Sequence, residues 1–196
     1  IQNNKNLNYI ISSFYDDGDL WLGTWNGGLV RLSISNKVCK IIYNSKSLGL
    51  PLYIWSLESF PQDSVTYVGT HNKGLAYFTP SMNEYTVADN TYPLIKSLYA
   101  DSVSGHLYVG TFGNGVREFN PSTKKYTSFN IREIENERIY IIYPYSKDKL
   151  LIGTAGSGLW LYDKAGDNAI HINIPSSYDE LNVRDIKPDL SSEGLW

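Results

Sequence analysis

Residues 20–28 read LWLGTWNGG: an aliphatic run with an aromatic inside it, a Gly-Thr pair, a second Trp and a tight polar turn. A catalytic motif usually occurs once, whereas a structural repeat returns at a fixed period. This stretch returns. LWLGTWNGGLVRLS begins at Leu20, TYVGTHNKGLAYFT at Thr66, LYVGTFGNGVREFN at Leu107 and LLIGTAGSGLWLYD at Leu150. The Gly-Thr pairs open at Gly23, Gly69, Gly110 and Gly153, at steps of 46, 41 and 43 residues. Steps of that size suit both β-propeller blades and helical HEAT-type repeats, so the secondary structure between the motifs decides.

The second repeat divides into four short β-rich runs, over 54–60, 65–70, 75–79 and 84–88, separated by PQDS, HNKG and PSMN. Runs of 4 to 8 residues rich in Tyr, Ile, Val and Leu, broken this often by turn formers, leave no room for a 12-residue helix. The expected fold is therefore all-β: a β-propeller of four-stranded antiparallel blades. With strands A to D named from the centre outward, the blades span 9–43, 53–88, 94–130 and 138–174, and a fifth begins over 182–196. The A strands fall near 9–15, 54–60, 94–101, 138–145 and 182–188. The D strands are VCKIIY, EYTVA, KYTSF and AIHINI. Leu195-Trp196 matches Leu20-Trp21, so the chain stops inside a strand, and it begins at Ile1 without Met. The expectation is a piece of a larger ring of about seven blades, closed by further blades or by self-association of its uncovered ends into a homodimer.

Composition narrows the function classes. The 196 residues are 42% hydrophobic and 19% charged, enough to bury a core. A net charge of −3, with no basic run longer than Lys124-Lys125, offers no field for a nucleic-acid backbone. The single cysteine, Cys39, excludes an intrachain disulfide framework and a multi-cysteine metal site. No apolar run approaches the roughly 18 residues of a membrane span, so any membrane link would lie outside this sequence. No cofactor motif is present.

Within the repeat, LWLGT reads as scaffold. Both faces of a B strand are covered by neighbouring blades, which asks for a near-continuous apolar run. The aromatic at Trp21, Tyr67 and Tyr108, replaced by Leu151, fills the wedge between blades; the glycine allows close backbone approach, and the threonine satisfies a local or inter-blade hydrogen bond. The turns WNGG, HNKG, FGNG and AGSG share only a closing glycine, at Gly28, Gly74, Gly115 and Gly158, as a hairpin with positive φ requires. The residues ahead of it vary, and B-to-C turns share one end of a propeller with the D-to-A connections. The candidate ligand surface is therefore Trp25, Asn26, His71, Asn72, Lys73, Phe112, Asn114 and Ser157, with Tyr53, Tyr92, Arg132 and Tyr178. Aromatics beside amides and a few charges suit a sugar or peptide: rings to stack on, and donors and acceptors to orient it. Trp25 stands out, because a Trp in a turn has no core to fill.

ISSFYDDGDLWLGTWNGGLVRLS, residues 11–33, and KSLYADSVSGHLYVGTFGNGVREFNPSTKKYTSF, residues 96–129, resemble the two-component regulator propeller repeat of periplasmic sensor regions in Bacteroidetes hybrid two-component systems. The resemblance runs from about residue 9 to residue 196; in blades two and four Lys73 and Ser157 replace a glycine of the pattern. It implies a periplasmic propeller that detects a polysaccharide-derived glycan and signals through a membrane helix to a histidine kinase outside this sequence. It also implies no catalytic residues here, and a propeller that supplies part of a ligand surface or a dimer contact.

An enzyme would need more. A glycosidase places two carboxylates roughly 5 to 9.5 Å apart, and the candidates Asp89, Glu133, Glu135, Glu137, Asp179 and Glu180 lie in polar loop runs that read as a solvated rim. His71, His106 and His171 sit in different blades without metal-ligand spacing. Asp16-Asp17-Gly18-Asp19 lacks the remaining oxygen ligands of a calcium loop and fits a hairpin turn. The remaining non-catalytic alternative is a protein-interaction scaffold.

Overall fold

The computed structural model describes residues 9–16, 18–34, 38–43, 53–60, 64–79, 86–175 and 181–188. Four antiparallel meanders follow one another along the chain. The first holds β1 (Ile10–Asp16), β2 (Asp19–Thr24), β3 (Leu29–Ser33) and β4 (Val38–Tyr43), and the second β5 (Ile54–Ser59), β6 (Thr66–Thr70), β7 (Leu75–Phe78) and β8 (Thr86–Asp89). The third holds β9 (Ile95–Asp101), β10 (His106–Thr111), β11 (Val116–Asn120) and β12 (Lys125–Asn130); the fourth holds β13 (Ile139–Ser146), β14 (Lys149–Gly156), β15 (Leu159–Asp163) and β16 (Asn168–Ile172). The innermost strands β1, β5, β9 and β13 contact one another in turn. This is the propeller arrangement that the repeat predicts. Where the fifth A strand is expected, β17 (Leu181–Asn182) pairs with β14 of the fourth blade, and the Val183 N–H donates to Thr154; residues 189–196 lie outside the described residues.

The Gly-Thr strands are the most enclosed. Every residue of β6 is buried, as are five of the six in β10, because a blade packs on each face. The reason for the glycine lies across the seam. A Cβ on Gly110 would stand 2.8 Å from Ile139 Cγ2 of the next blade and 3.1 Å from Ser97 Cβ of its own. The same clash recurs at Gly23 with Ile54, at Gly69 with Ile95 and at Gly153 with Val183. The first inward residue of each A strand is thus seated on the glycine of the preceding blade. Ile54, Ile95 and Ile139 are at most 1% exposed as a result.

The threonine has a local role. In each blade its buried hydroxyl donates to the carbonyl of the closing glycine: Thr24 to Gly28 at 2.7 Å, Thr70 to Gly74 at 2.9 Å, Thr111 to Gly115 at 2.8 Å and Thr154 to Gly158 at 2.9 Å. The closing glycines have φ between 63° and 86°, the left-handed region that glycine enters without strain. Three of them also donate their N–H across the seam, Gly74 to Pro93, Gly115 to Glu137 and Gly158 to Leu181. One five-residue turn therefore closes its own hairpin and fastens the next blade.

Aromatics fill the outer part of each wedge. Trp21 lies 4.3 Å, centroid to centroid, from Phe78 of the second blade, and Tyr67 lies 6.2 Å from Phe119 of the third. Tyr108 and Tyr162 share the third seam. Near the opposite end, Lys164 after β15 reaches across to Asp101 at the end of β9 at 3.1 Å. Burial alone would push the Asp101 carboxyl up. Hydrogen bonds from Lys164, the Val103 N–H and the Ser104 hydroxyl, with the lysine charge, outweigh it and hold the carboxyl below its usual range. Asp19 pairs with Arg31 across β2 and β3, so the first acidic turn is tied into its own hairpin. Among the described residues no group of three or more His, Cys, Asp or Glu could hold a metal ion.

Two outcomes follow from this packing. Gly110→Ala should cost about 1–3 kcal/mol in urea unfolding, the price of overpacking against the stiff side chain of Ile139. The second concerns Glu58, on β5 opposite Tyr67 and near Tyr99. Burial pushes its carboxyl from 4.5 up to about 7, opposed by a hydrogen bond from the Ser59 N–H. The folded state then holds this proton more tightly than the unfolded chain, so the stabilisation is complete below about pH 4.5 and lost as pH rises through about 7. Thermal melts should fall further between pH 5 and pH 8 in the parent than in Glu58→Gln; equal slopes would refute the assignment.

Candidate ligand-binding site

The register of each A strand skips a residue directly after its first paired one. Ile10 pairs Thr24 and Ser12 pairs Gly23, leaving Ile11 unpaired; Trp55, Lys96 and Tyr140 are skipped in the same place. Each is the extra residue of a β-bulge, which turns a side chain out of the strand's alternation. Arg184 holds the corresponding place after Val183, the residue that meets Gly153. These five positions line one cleft of about 490 Å3, together with Ser12, Ser56 and Asp185.

Above the cleft the B-to-C turns and the D-to-A connections meet, as the repeat predicts. Trp25 forms a bridge with Tyr53, Phe112 with Arg138 and Ser157 with Leu181. The result is a continuous run of rings. Trp25 and Tyr53 are 4.6 Å apart, Tyr53 and His71 5.4 Å, His71 and Trp55 4.6 Å, Trp55 and Phe112 6.1 Å, and Phe112 and Tyr140 6.1 Å. Trp25, at one end, is 48% exposed although it belongs to the largest side-chain class.

Cations sit on these rings. Lys96 Nζ lies 4.4 Å from the Trp55 centroid, the Arg138 guanidinium 5.2 Å from that of Phe112 and the Arg184 guanidinium 5.6 Å from that of Tyr140. Burial, and then the positive charge of Arg184, push the Lys96 ammonium down from its ordinary value. Burial followed by the charge of Lys96 does the same to the His71 imidazole. His71 Nδ1, Trp55 Nε1 and Ser56 Oγ are buried polar atoms without a hydrogen-bond partner among the described residues.

Of the twelve candidates read from the sequence, four come together here: Trp25, Tyr53, His71 and Phe112. The others are placed elsewhere or engaged locally. Tyr92 packs edge-on against Tyr126 at 4.8 Å, with Arg117 over its ring, on the outer strands of the third blade. Arg132 is exposed in a 3-10 turn, and Ser157 donates to Glu137 at 2.5 Å. Asn26 takes φ 63° in its turn, and the Lys73 and Asn114 N–H groups donate to Thr70 and Thr111. Asn72 is exposed, and Tyr178 lies outside the described residues, as do Asp179 and Glu180. Among the acidic rim residues, Glu135 accepts from Asn130 at 3.1 Å and Asp89 from the Thr91 N–H at 2.6 Å.

The residues missed are Trp55, Lys96, Tyr140, Arg138 and Arg184. Four of them carry a signal that alignment of the A strands would have exposed. IIS, IWS, IKS, IYI and VRD put a changing residue behind a constant β-branched one, and Trp55, Lys96, Tyr140 and Arg184 are the changing ones.

No protein-family model matches the sequence, and no curated protein matches it. Solved structures do. A structure of the extracellular domain of BT4673 of B. thetaiotaomicron, described there as a hybrid two component system and in a second structure as a one component system, superposes with a TM-score of 0.76 at 24% identity, covering 96% of this chain and 26% of that one. The extracellular domain of BT3049, described as a hybrid two component system of the same organism, gives 0.74 at 22% identity, covering 96% and 25%. The computationally designed Ika8 protein gives 0.65 at 12% identity, covering 89% and 51%. The chain thus spans about a quarter of the two bacterial domains. These neighbours agree with the resemblance carried by the Gly-Thr repeats: the chain has the propeller fold found in extracellular domains of B. thetaiotaomicron hybrid two component systems.

Proposed function

We propose that this chain is part of an extracytoplasmic ligand-sensing propeller, the periplasmic sensor region of a hybrid two-component system whose histidine kinase lies outside the sequence. Its ligand is an oligosaccharide released from a polysaccharide, received on the ring track between Trp25 and Tyr140. The observation that carries this reading is the run of six rings drawn from all four blades, leading over a cleft lined by Trp55 and Ser56, whose buried polar atoms have no partner among the described residues. Sugars present apolar ring faces ringed by hydroxyls, so they need what this surface offers: aromatic faces for stacking and fixed polar groups for orientation. A ligand spanning several blades would also couple their relative positions, which is what a sensor requires of its binding event.

The test is calorimetry of the full chain against a panel of plant and host oligosaccharides, with intrinsic Trp fluorescence as a second signal. At least one member should bind, and Trp25→Ala and Trp55→Ala should each weaken it about tenfold, the equivalent of one stacking face. If no member binds and Trp25→Ala alters only the oligomeric state, the surface is a protein-interaction face and the sensing role is refuted.

A further inference from the structure

The cleft beneath the ring track has a charge pattern that a neutral sugar does not explain. Lys96 and Arg184 both line it. They are close enough that the arginine's charge disfavours the lysine's proton, and Lys96 is drawn into the protein far enough for burial to do the same. Holding two like charges at one partly buried cleft costs free energy unless an anion stands between them. The protein supplies none among the described residues: the ion pairs there are Arg31–Asp19, His106–Glu118, Lys164–Asp101 and Lys187–Asp185. Asp185, the carboxylate among the residues lining the cleft, is paired with Lys187 at 3.0 Å and accepts the Ile186 N–H at 3.0 Å. Lys96 and Arg184 instead rest on Trp55 and Tyr140. These contacts orient the cations without neutralising them.

We infer that the cleft is an anion seat, and that the ligand of this propeller is an acidic oligosaccharide whose carboxylate or sulfate is held between Lys96 and Arg184 while its rings stack on the track. This rests on the glycan reading above and adds its chemical class. The geometry divides the labour. The bulged positions of the second and fourth blades supply rings, and that of the third supplies a cation. An acidic group placed between the cations satisfies both. Arg138, over Phe112 on the rim, adds attraction during approach.

The experiment uses the full chain with three probes: tetragalacturonate, its fully methyl-esterified form, which keeps the sugar rings and removes the charge, and a chondroitin sulfate disaccharide. An acidic probe should bind at least about tenfold more tightly than the ester, one charge-assisted contact's worth, and weaken as salt rises. Preference for tetragalacturonate identifies a carboxylate in the seat; preference for the disaccharide, which carries a uronate carboxylate as well as a sulfate, identifies a sulfate where its desulfated form loses that preference. Lys96→Met and Arg184→Met should each erase the preference, whereas Lys96→Arg should retain it. In NMR titrations the bound acid should raise the pKa of His71, because it screens the ammonium that holds that imidazole down. Equal binding of acid and ester, unmoved by Lys96→Met, overturns the anion seat and leaves the glycan reading standing. Binding of none of the three, in a chain that does bind a neutral member of the wider panel, also overturns the anion seat, and binding of no sugar at all overturns both.

Discussion

The contact on which this molecule depends is an absence: the missing side chain of the Gly-Thr glycine, into which the next blade presses a β-branched residue. At Gly110 the space is filled by Ile139, and the same seat is taken by Ile54, Ile95 and Val183 on the other three glycines. Nothing larger than hydrogen fits, so the distance between neighbouring A strands is set at one point per seam. The remainder of the seam is arranged around that point. Outward of it the gap widens, and Trp21, Phe78, Tyr67 and Phe119 occupy the volume. Toward the ligand end the closing glycines fasten the next connection by backbone hydrogen bonds. A chain built this way specifies its blade spacing through backbone geometry and leaves side-chain identity free elsewhere.

That division explains what could be read in the sequence. The Gly-Thr pair, the apolar run before it and the closing glycine recur because each blade imposes the same steric demand, so four copies announce the fold and the strand order. Trp25 was legible as a candidate for the opposite reason: a large ring in a turn has no strand core to fill, and here it rests on Tyr53 at the start of the next blade. Trp55, Lys96 and Tyr140 were not, since a β-bulge has no residue signature of its own, and within a short strand they read as ordinary alternation. Tyr92 misled in another way. It lies on a connection at the expected end, but Tyr126 and Arg117 of the outer strands draw it away from the centre.

The same partition joins stability to function. Lys96 and Arg184 could not be kept near one cleft if the seams had to be secured by the residues that carry them. They are tolerated because Gly69, which seats Ile95, and Gly153, which seats Val183, fix the backbone beside them independently, with the hydrophobic clusters outside. The repulsion between them is confined to a place that the fold does not need to relax. The deeper ion pair of Lys164 with Asp101 is different: it is closed on itself by three hydrogen bonds to the carboxylate.

The bulge has a consequence for how such a protein changes. An unpaired residue, once per blade, facing a common cleft, behaves as a socket whose occupant can be exchanged without disturbing the ladder on either side. Ile11, Trp55, Lys96, Tyr140 and Arg184 already sample aliphatic, aromatic and cationic chemistry at equivalent sockets. Single substitutions at these sites change the chemistry that lines the cleft while the Gly-Thr framework is kept. The lining can then be altered one blade at a time, by codon changes scattered along the gene at the spacing of the repeat.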